Sequence, residues 1–174
     1  MKKTYCLALA MAATSSLAFA GSHPGDSHWY VGGSFNMVKA DWGDSFDLTA
    51  LGGQAGYQLN DVVAFEVRGG QGVGDDSQSG LKLELNSYYG VYTKIGIPSN
   101  RDIYPYVVLG YTNIDIKATY AGGSGSDESD DVSYGVGMSA NIDNMFDISL
   151  EYMRWFDKYS IQYKGVNIGA NYRF

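Results

Sequence analysis

From Trp29 onward the chain alternates apolar residues with polar or small ones at every second position. In 29–39, Trp29, Val31, Gly33, Phe35 and Met37 share one parity, and Tyr30, Gly32, Ser34 and Asn36 hold the other. In 48–59, Leu51, Gly53, Ala55, Tyr57 and Leu59 oppose Gly52, Gln54, Gly56 and Gln58. In 62–72, Val63, Phe65 and Val67 oppose Ala64, Glu66 and Arg68. In 81–97, Leu81, Leu83, Leu85, Tyr89, Val91 and Ile95 oppose Lys82, Glu84, Asn86, Tyr88, Tyr92 and Lys94. The stretches 103–117, 132–142, 146–156 and 163–174 repeat the pattern, and the last ends on Tyr172 and Phe174. A period of two marks a strand with unlike faces. The pattern predicts eight strands in a single all-β domain.

The connections alternate in style. Asn60-Asp61, Pro98–Asp102, Asp143–Met145 and the turn near Asp157-Lys158 are short. Asp41–Asp47, Asp75–Gly80 and Ala121–Asp131 are longer and acidic, and they read as solvated loops. Ahead of the strands, residues 1–20 carry Lys2 and Lys3, an apolar run and Ala18-Phe19-Ala20. This is the pattern of a signal peptide cleaved before Gly21, leaving 21–174 as the mature barrel domain, with 21–28 as a flexible lead-in. The one cysteine, Cys6, lies in the leader, so the exported domain is expected to fold without disulfides. Loss of Lys2 and Lys3 takes the formal charge from −7 to −9, which argues against a nucleic-acid partner.

The polar parity tells inside from outside. A soluble barrel or sandwich buries its apolar face, whereas a membrane barrel turns it to lipid. Here the polar parity holds Glu66, Arg68, Lys82, Glu84, Lys94, Glu151 and Arg173 among many glycines. Small residues and balanced charges suit the narrow interior of eight strands, where opposite charges pair. A sandwich would also leave the alternation of long and short connections unexplained. The reading is therefore an eight-stranded antiparallel transmembrane β-barrel, closed because lipid tolerates no unpaired strand edge. The interior charges read as a salt-bridged plug, with a gated ion path as the alternative. On the apolar parity, Lys39, Lys117, Arg154 and Lys164 fall toward the expected extracellular ends. They are candidate contacts for lipopolysaccharide phosphates, with plain snorkelling at the rim as the competing explanation.

The leader, the alternating strands, PYVVLGYT (105–112), VSYGVGMSANI (132–142) and the final aromatic-x-Phe resemble the small outer-membrane β-barrels. These are the OmpA-like and OmpX/Ail-like proteins of the "porin family". The resemblance implies a monomeric barrel in the bacterial outer membrane with both termini in the periplasm. It also implies that Tyr172 and Phe174 form a signal for the barrel-assembly machinery. Enzymes on such barrels, the lipid A palmitoyltransferase and deacylase and the omptin-type proteases, use a rim histidine. This chain has only His23 and His28, both near its start, so no catalytic site is expected. No cofactor or metal is expected either, since the acidic run 122–131 lacks EF-hand spacing. The function expected is a non-enzymatic surface protein. Its acidic loops would serve interaction, adhesion to a host or surface ligand, or envelope integrity. Small-pore passive transport is the alternative.

Overall fold

The computed structural model describes residues 27–42, 44–78, 81–98, 103–120, 123–143, 145–158 and 161–174. The leader 1–20, the lead-in to Asp26 and His23 lie outside the described residues. The strands are β1 (His28–Trp42), β2 (Asp44–Gln58), β3 (Val63–Gly72), β4 (Asp75–Gln78), β5 (Leu81–Gly96), β6 (Ile103–Tyr120), β7 (Gly123–Asn141), β8 (Phe146–Lys158) and β9 (Ile161–Arg173). All pairings are antiparallel between chain neighbours, and two further pairings make the barrel. β3 pairs with β5, with β4 continuing the same run after a break at Val73-Gly74. β9 returns to β1 from Tyr30↔Arg173 to Asp41↔Gln162. Nine segments thus make an eight-stranded closed barrel.

The wall has the apolar face outward. Val31, Phe35, Leu51, Val67, Val91, Leu109, Val136 and Leu150 are exposed on it. Such a surface is paid for only by lipid, and closure leaves no unpaired edge within it. Aromatic rings gather at the rim where the chain ends. Trp29 lies 4.8 Å from Tyr57, Phe146 lies 5.1 Å from Tyr172, and Tyr172 stacks on Phe174 at 6.3 Å. The Phe174 N–H donates to the Trp29 carbonyl at 3.0 Å, which ties the last residue to the first strand.

Inside, large tyrosines lie over glycines of neighbouring strands. A Cβ at Gly56 would strike the Tyr30 ring, and one at Gly110 would strike the Tyr92 ring. The two abundant residue types are therefore one packing device, since a ring can lie across the wall only where no side chain rises beneath it.

Three expectations are corrected here. The stretches 41–47, 75–80 and 121–131, read as loops, are mostly strand: β1 runs on to Trp42 opposite Asp44, β4 takes Asp75–Gln78 against β5, and β6 runs to Tyr120 opposite Gly123. The alternation of 81–97 is broken by a bulge between Leu85 and Ser87, so Leu85 is buried and Glu84 is exposed. His28 belongs to β1 rather than to a lead-in.

Candidate functional site

The middle of the interior is a compact ionic cluster. β3 presents Glu66 and Arg68, β5 presents Lys94, and β8 presents Glu151 from the far wall, all of them buried. Arg68 Nη1 donates to Glu151 Oε2 at 2.6 Å and Nη2 to Oε1 at 2.9 Å. Arg68 Nη2 also reaches Glu66 Oε2 at 2.8 Å. Lys94 Nζ lies 3.0 Å from Glu66 Oε2 and 3.6 Å from Glu151 Oε1. Tyr106 and Asn167 each donate to Glu151 at 2.8 Å. Arg68 also stacks over Tyr92 at 4.6 Å, and Lys94 over Tyr106 at 5.0 Å. Two carboxylates and two cations cancel, and each carboxylate is shared between both cations. That arrangement makes burial of four charges tolerable.

Of the other residues of that parity, Arg173 sits lower, half-buried, 3.7 Å from Asp147 and donating to the Asp143 carbonyl at 2.8 Å. Glu84 faces outward above the bulge, so it is not part of the cluster. The Lys82 side chain lies outside the described residues.

Above the cluster the lumen changes character. Asn36 Nδ2 donates to the Tyr88 hydroxyl at 2.9 Å, and Thr112 joins Tyr92 at 2.5 Å and Ser133 at 2.6 Å. Beyond this polar belt come Leu48, Ala50, Leu85, Ile114, Met153, Trp155 and Tyr163, all buried, with Val38 and Ile116 packed against them. The interior is thus polar only in its lower and middle parts. The clue was present in the sequence: Val38, Leu48, Ile114, Ile116, Trp155 and Tyr163 all share the inward parity near the strand ends opposite Phe174.

On the outer wall the register aligns three of the four rim cations. Lys39 lies opposite Lys164, and Lys164 opposite Arg154. Tyr134 follows, opposite Arg154, and its hydroxyl accepts a 3.0 Å hydrogen bond from the Arg154 guanidinium. Lys39 is 3.7 Å from Asp47, and Arg154 is 2.6 Å from Asp157. Lys117 stands apart on β6, opposite Glu84 and well above Leu109, which faces Tyr134.

The wall is uneven in height. β6 and β7 pair all the way from Ile103↔Ala140 to Tyr120↔Gly123. β7 and β8 pair only from Tyr134 to Asn141. Ser133 Oγ donates to the Trp155 carbonyl at 3.0 Å, and the Asp157 N–H donates to Asp131 Oδ2 at 3.0 Å. Beyond those two links, β6 is the only strand neighbour of β7 among the described residues. The bulge between Arg154 and Phe156 marks where β8 leaves the ladder. The raised hairpin carries Asp115, Glu128 and Asp130 on its surface.

Among the described residues no His, Cys, Asp or Glu group is arranged to hold a metal ion. The one described histidine, His28, packs near Tyr30 at 6.4 Å, at the opposite end of β1 from the raised hairpin.

Comparison with known proteins agrees with this architecture. The family model for the outer membrane protein beta-barrel domain matches residues 5–174. No curated protein matches significantly. Among solved structures, the chain is similar to Ail, the attachment invasion locus protein of Yersinia pestis, in complex with the heparin analogue sucrose octasulfate. Identity is 21%, the match covers 87% of this chain and 100% of that one, and the TM-score is 0.62. Neisserial surface protein A matches at 16% identity over 86% of this chain and 99% of that one, with a TM-score of 0.67. The N-terminal β-barrel domain of Pseudomonas aeruginosa OprF matches at 14% identity over 86% and 99%, with a TM-score of 0.64.

Proposed function

We propose, from the premise that this chain belongs to the outer membrane protein β-barrel domain family, that it is a non-enzymatic surface-binding protein of the bacterial outer membrane. The observation that carries the reading is the uneven wall. A raised β6–β7 hairpin, acidic and with one strand-free edge, stands above an interior that is filled. An uncovered edge can accept an extended peptide by strand addition, and flanking carboxylates select a basic one. The same charges guard the edge against pairing with copies of itself. Barrels of this family are in general non-enzymatic. The similar structure of Ail, an attachment invasion locus protein, holds a heparin analogue, which supports a surface-contact role for this chain.

The test is adhesion of cells expressing the full chain to immobilised host-matrix proteins. Asp127, Glu128, Asp130 and Asp131 are replaced together by asparagine, and surface display is checked in parallel. Binding is expected to fall by about tenfold or more, as it does when interface charges worth ~1.4 kcal/mol in sum are lost. Unchanged adhesion would leave envelope architecture as the better account. Small-pore transport remains the second reading, and the filled lumen weighs against it.

The aligned cations suggest the lipid contact. We propose that Lys39, Lys164 and Arg154 together meet phosphates of outer-leaflet lipopolysaccharide, with Lys117 a separate, higher contact. Exposed ion pairs contribute about 0.2–1 kcal/mol each. Replacing the aligned three by glutamine should therefore weaken lipopolysaccharide binding roughly tenfold in a titration of the refolded barrel. Lys117→Gln alone should barely change it. Full affinity in the triple variant would reduce these side chains to snorkelling. The cleaved leader, the barrel-assembly signal at Tyr172 and Phe174 and the monomeric state also belong to this proposal.

A further inference from the structure

We propose that the ionic layer of the lumen binds an internal water molecule on one side, at a site that closes over Gly169. The side chains around the ionic cluster divide by strand. On β5 and β6, Tyr88, Tyr92, Tyr106 and Val108 are buried and fill the space with rings and carbon. On β1, β2, β3, β8 and β9 the inward face instead holds buried polar atoms with no hydrogen-bond partner among the described residues. They are Tyr30 Oη, Ser34 Oγ, Gln54 Oε1, Glu66 Oε1, Ser149 Oγ and Asn167 Oδ1, with Arg173 Nε nearer the rim.

Four of these atoms surround one glycine. Ser34 and Ser149 flank Gly169 in the register, on β1 and β8. Asn167 stands two residues along β9 on the same face, and Gln54 reaches over from β2. A methyl at Gly169 would lie 2.5 Å from Ser149 Oγ and 3.1 Å from Gln54 Nε2. Gly56 and Gly110 are roofed by the rings of Tyr30 and Tyr92, whereas the side chains nearest Gly169 are these short polar ones. Ser34, Gln54, Ser149 and Asn167 are all buried, so bulk solvent does not serve them.

Turning the amides over does not remove the deficit. Asn167 Nδ2 donates to Glu151 at 2.8 Å, which leaves its Oδ1 as the open end. Gln54 Nε2 donates to Asn171 Oδ1 at 2.5 Å, and Asn171 Nδ2 donates to Asp147 at 2.9 Å. Both chains start from carboxylates, which only accept, so each ends on an amide oxygen that needs a donor. Ser34 and Ser149 each bring a hydroxyl that can donate. Two acceptors and two donors match the two to four hydrogen bonds that a buried water makes. A cation also suits oxygens, but Arg68 and Lys94 already balance Glu66 and Glu151, and a further charge would go unpaired. The water joins two networks into one, from Asp147 through Asn171 and Gln54 to Asn167, Glu151 and Arg68. By donating to Asn167 Oδ1 it keeps that amide turned toward Glu151. The site shares no residue with the hairpin carboxylates or the rim cations, so it is independent of both readings.

The experiment is a crystal structure of the full barrel grown in rubidium chloride, with data that resolve ordered water and record the rubidium anomalous signal. The expected result is a density peak over Gly169 with no anomalous signal, at about 2.5–3.0 Å from Gln54 Oε1 and Asn167 Oδ1. Gly169→Ala puts a methyl into the site and should remove the peak. Ser149→Val replaces a donor by carbon and should also remove it, which keeps the test decisive if Gly169→Ala fails to fold. A parent barrel with no peak over Gly169 overturns the proposal. So does rubidium at that position, which would make the site one for a cation. A peak that persists at full strength in either variant overturns it as well.

Discussion

Arg68→Ala is expected to cost the barrel about 3–5 kcal/mol, the range for breaking a buried ion pair by removing one partner. Arg68 grips both carboxylates at close range, through Glu66 Oε2 at 2.8 Å and both oxygens of Glu151 at 2.6 and 2.9 Å. Without it, two buried acids share Lys94 alone, and one negative charge goes uncompensated. The Tyr106 and Asn167 donors to Glu151 soften that cost without removing it. Arg68→Lys should fall between, since one ammonium cannot reproduce the planar fork that spans both acids. Clearing the charges together, with Glu66→Gln, Arg68→Met and Glu151→Gln, should cost much less than Arg68→Ala alone, because no unpaired acid is left. The measurement is urea unfolding of the barrel refolded in lipid vesicles, followed by tryptophan fluorescence. An Arg68→Ala barrel within about 0.5 kcal/mol of the parent, the scatter of surface substitutions, would mean that water reaches the cluster freely.

The alternation made the barrel legible because a wall between lipid and a narrow lumen forces each parity into a different medium. Phe35, Val67, Val91 and Leu150 face lipid for that reason, and Glu66, Arg68 and Glu151 face inward. Where the forcing stops, so does legibility. The ends of β6 and β7 stand clear of the membrane, and acidic Gly-Ser-rich strand there has no sequence period to show. It reads as loop, although it is paired to Tyr120↔Gly123. The bulge at Leu85 is a second blind spot. One extra residue reverses parity, so Glu84 turns outward and Leu85 inward. Parity also says nothing of height. Arg173 and Arg68 share an inward parity, yet Arg173 meets Asp147 near the rim while Arg68 meets Glu151 across the centre. Only the register of the closed sheet decides which charges meet.

The division of the lumen into an ionic layer and an apolar layer leads to an electrical prediction. Eight strands leave an interior just wide enough for side chains to fill it. Here two layers of unlike chemistry fill it in series. Ions are stopped at the lower one by Arg68, Glu66, Glu151 and Lys94, and at the upper one by Leu48, Met153 and Trp155. An apolar constriction blocks ions by dewetting even where water could pass. The refolded barrel should therefore be silent in a planar bilayer. Clearing only the ionic layer, with Glu66, Arg68 and Glu151 replaced by alanine, should leave it silent. Clearing only the apolar layer, with Leu48→Ala and Trp155→Ala, should do the same. The variant with both layers cleared should give resolvable steps, favouring anions because Lys94 remains as the one charge of the cluster. Stable steps from the unaltered barrel would reinstate the transport reading. Conduction after loss of the ionic layer alone would show that the upper layer is wet.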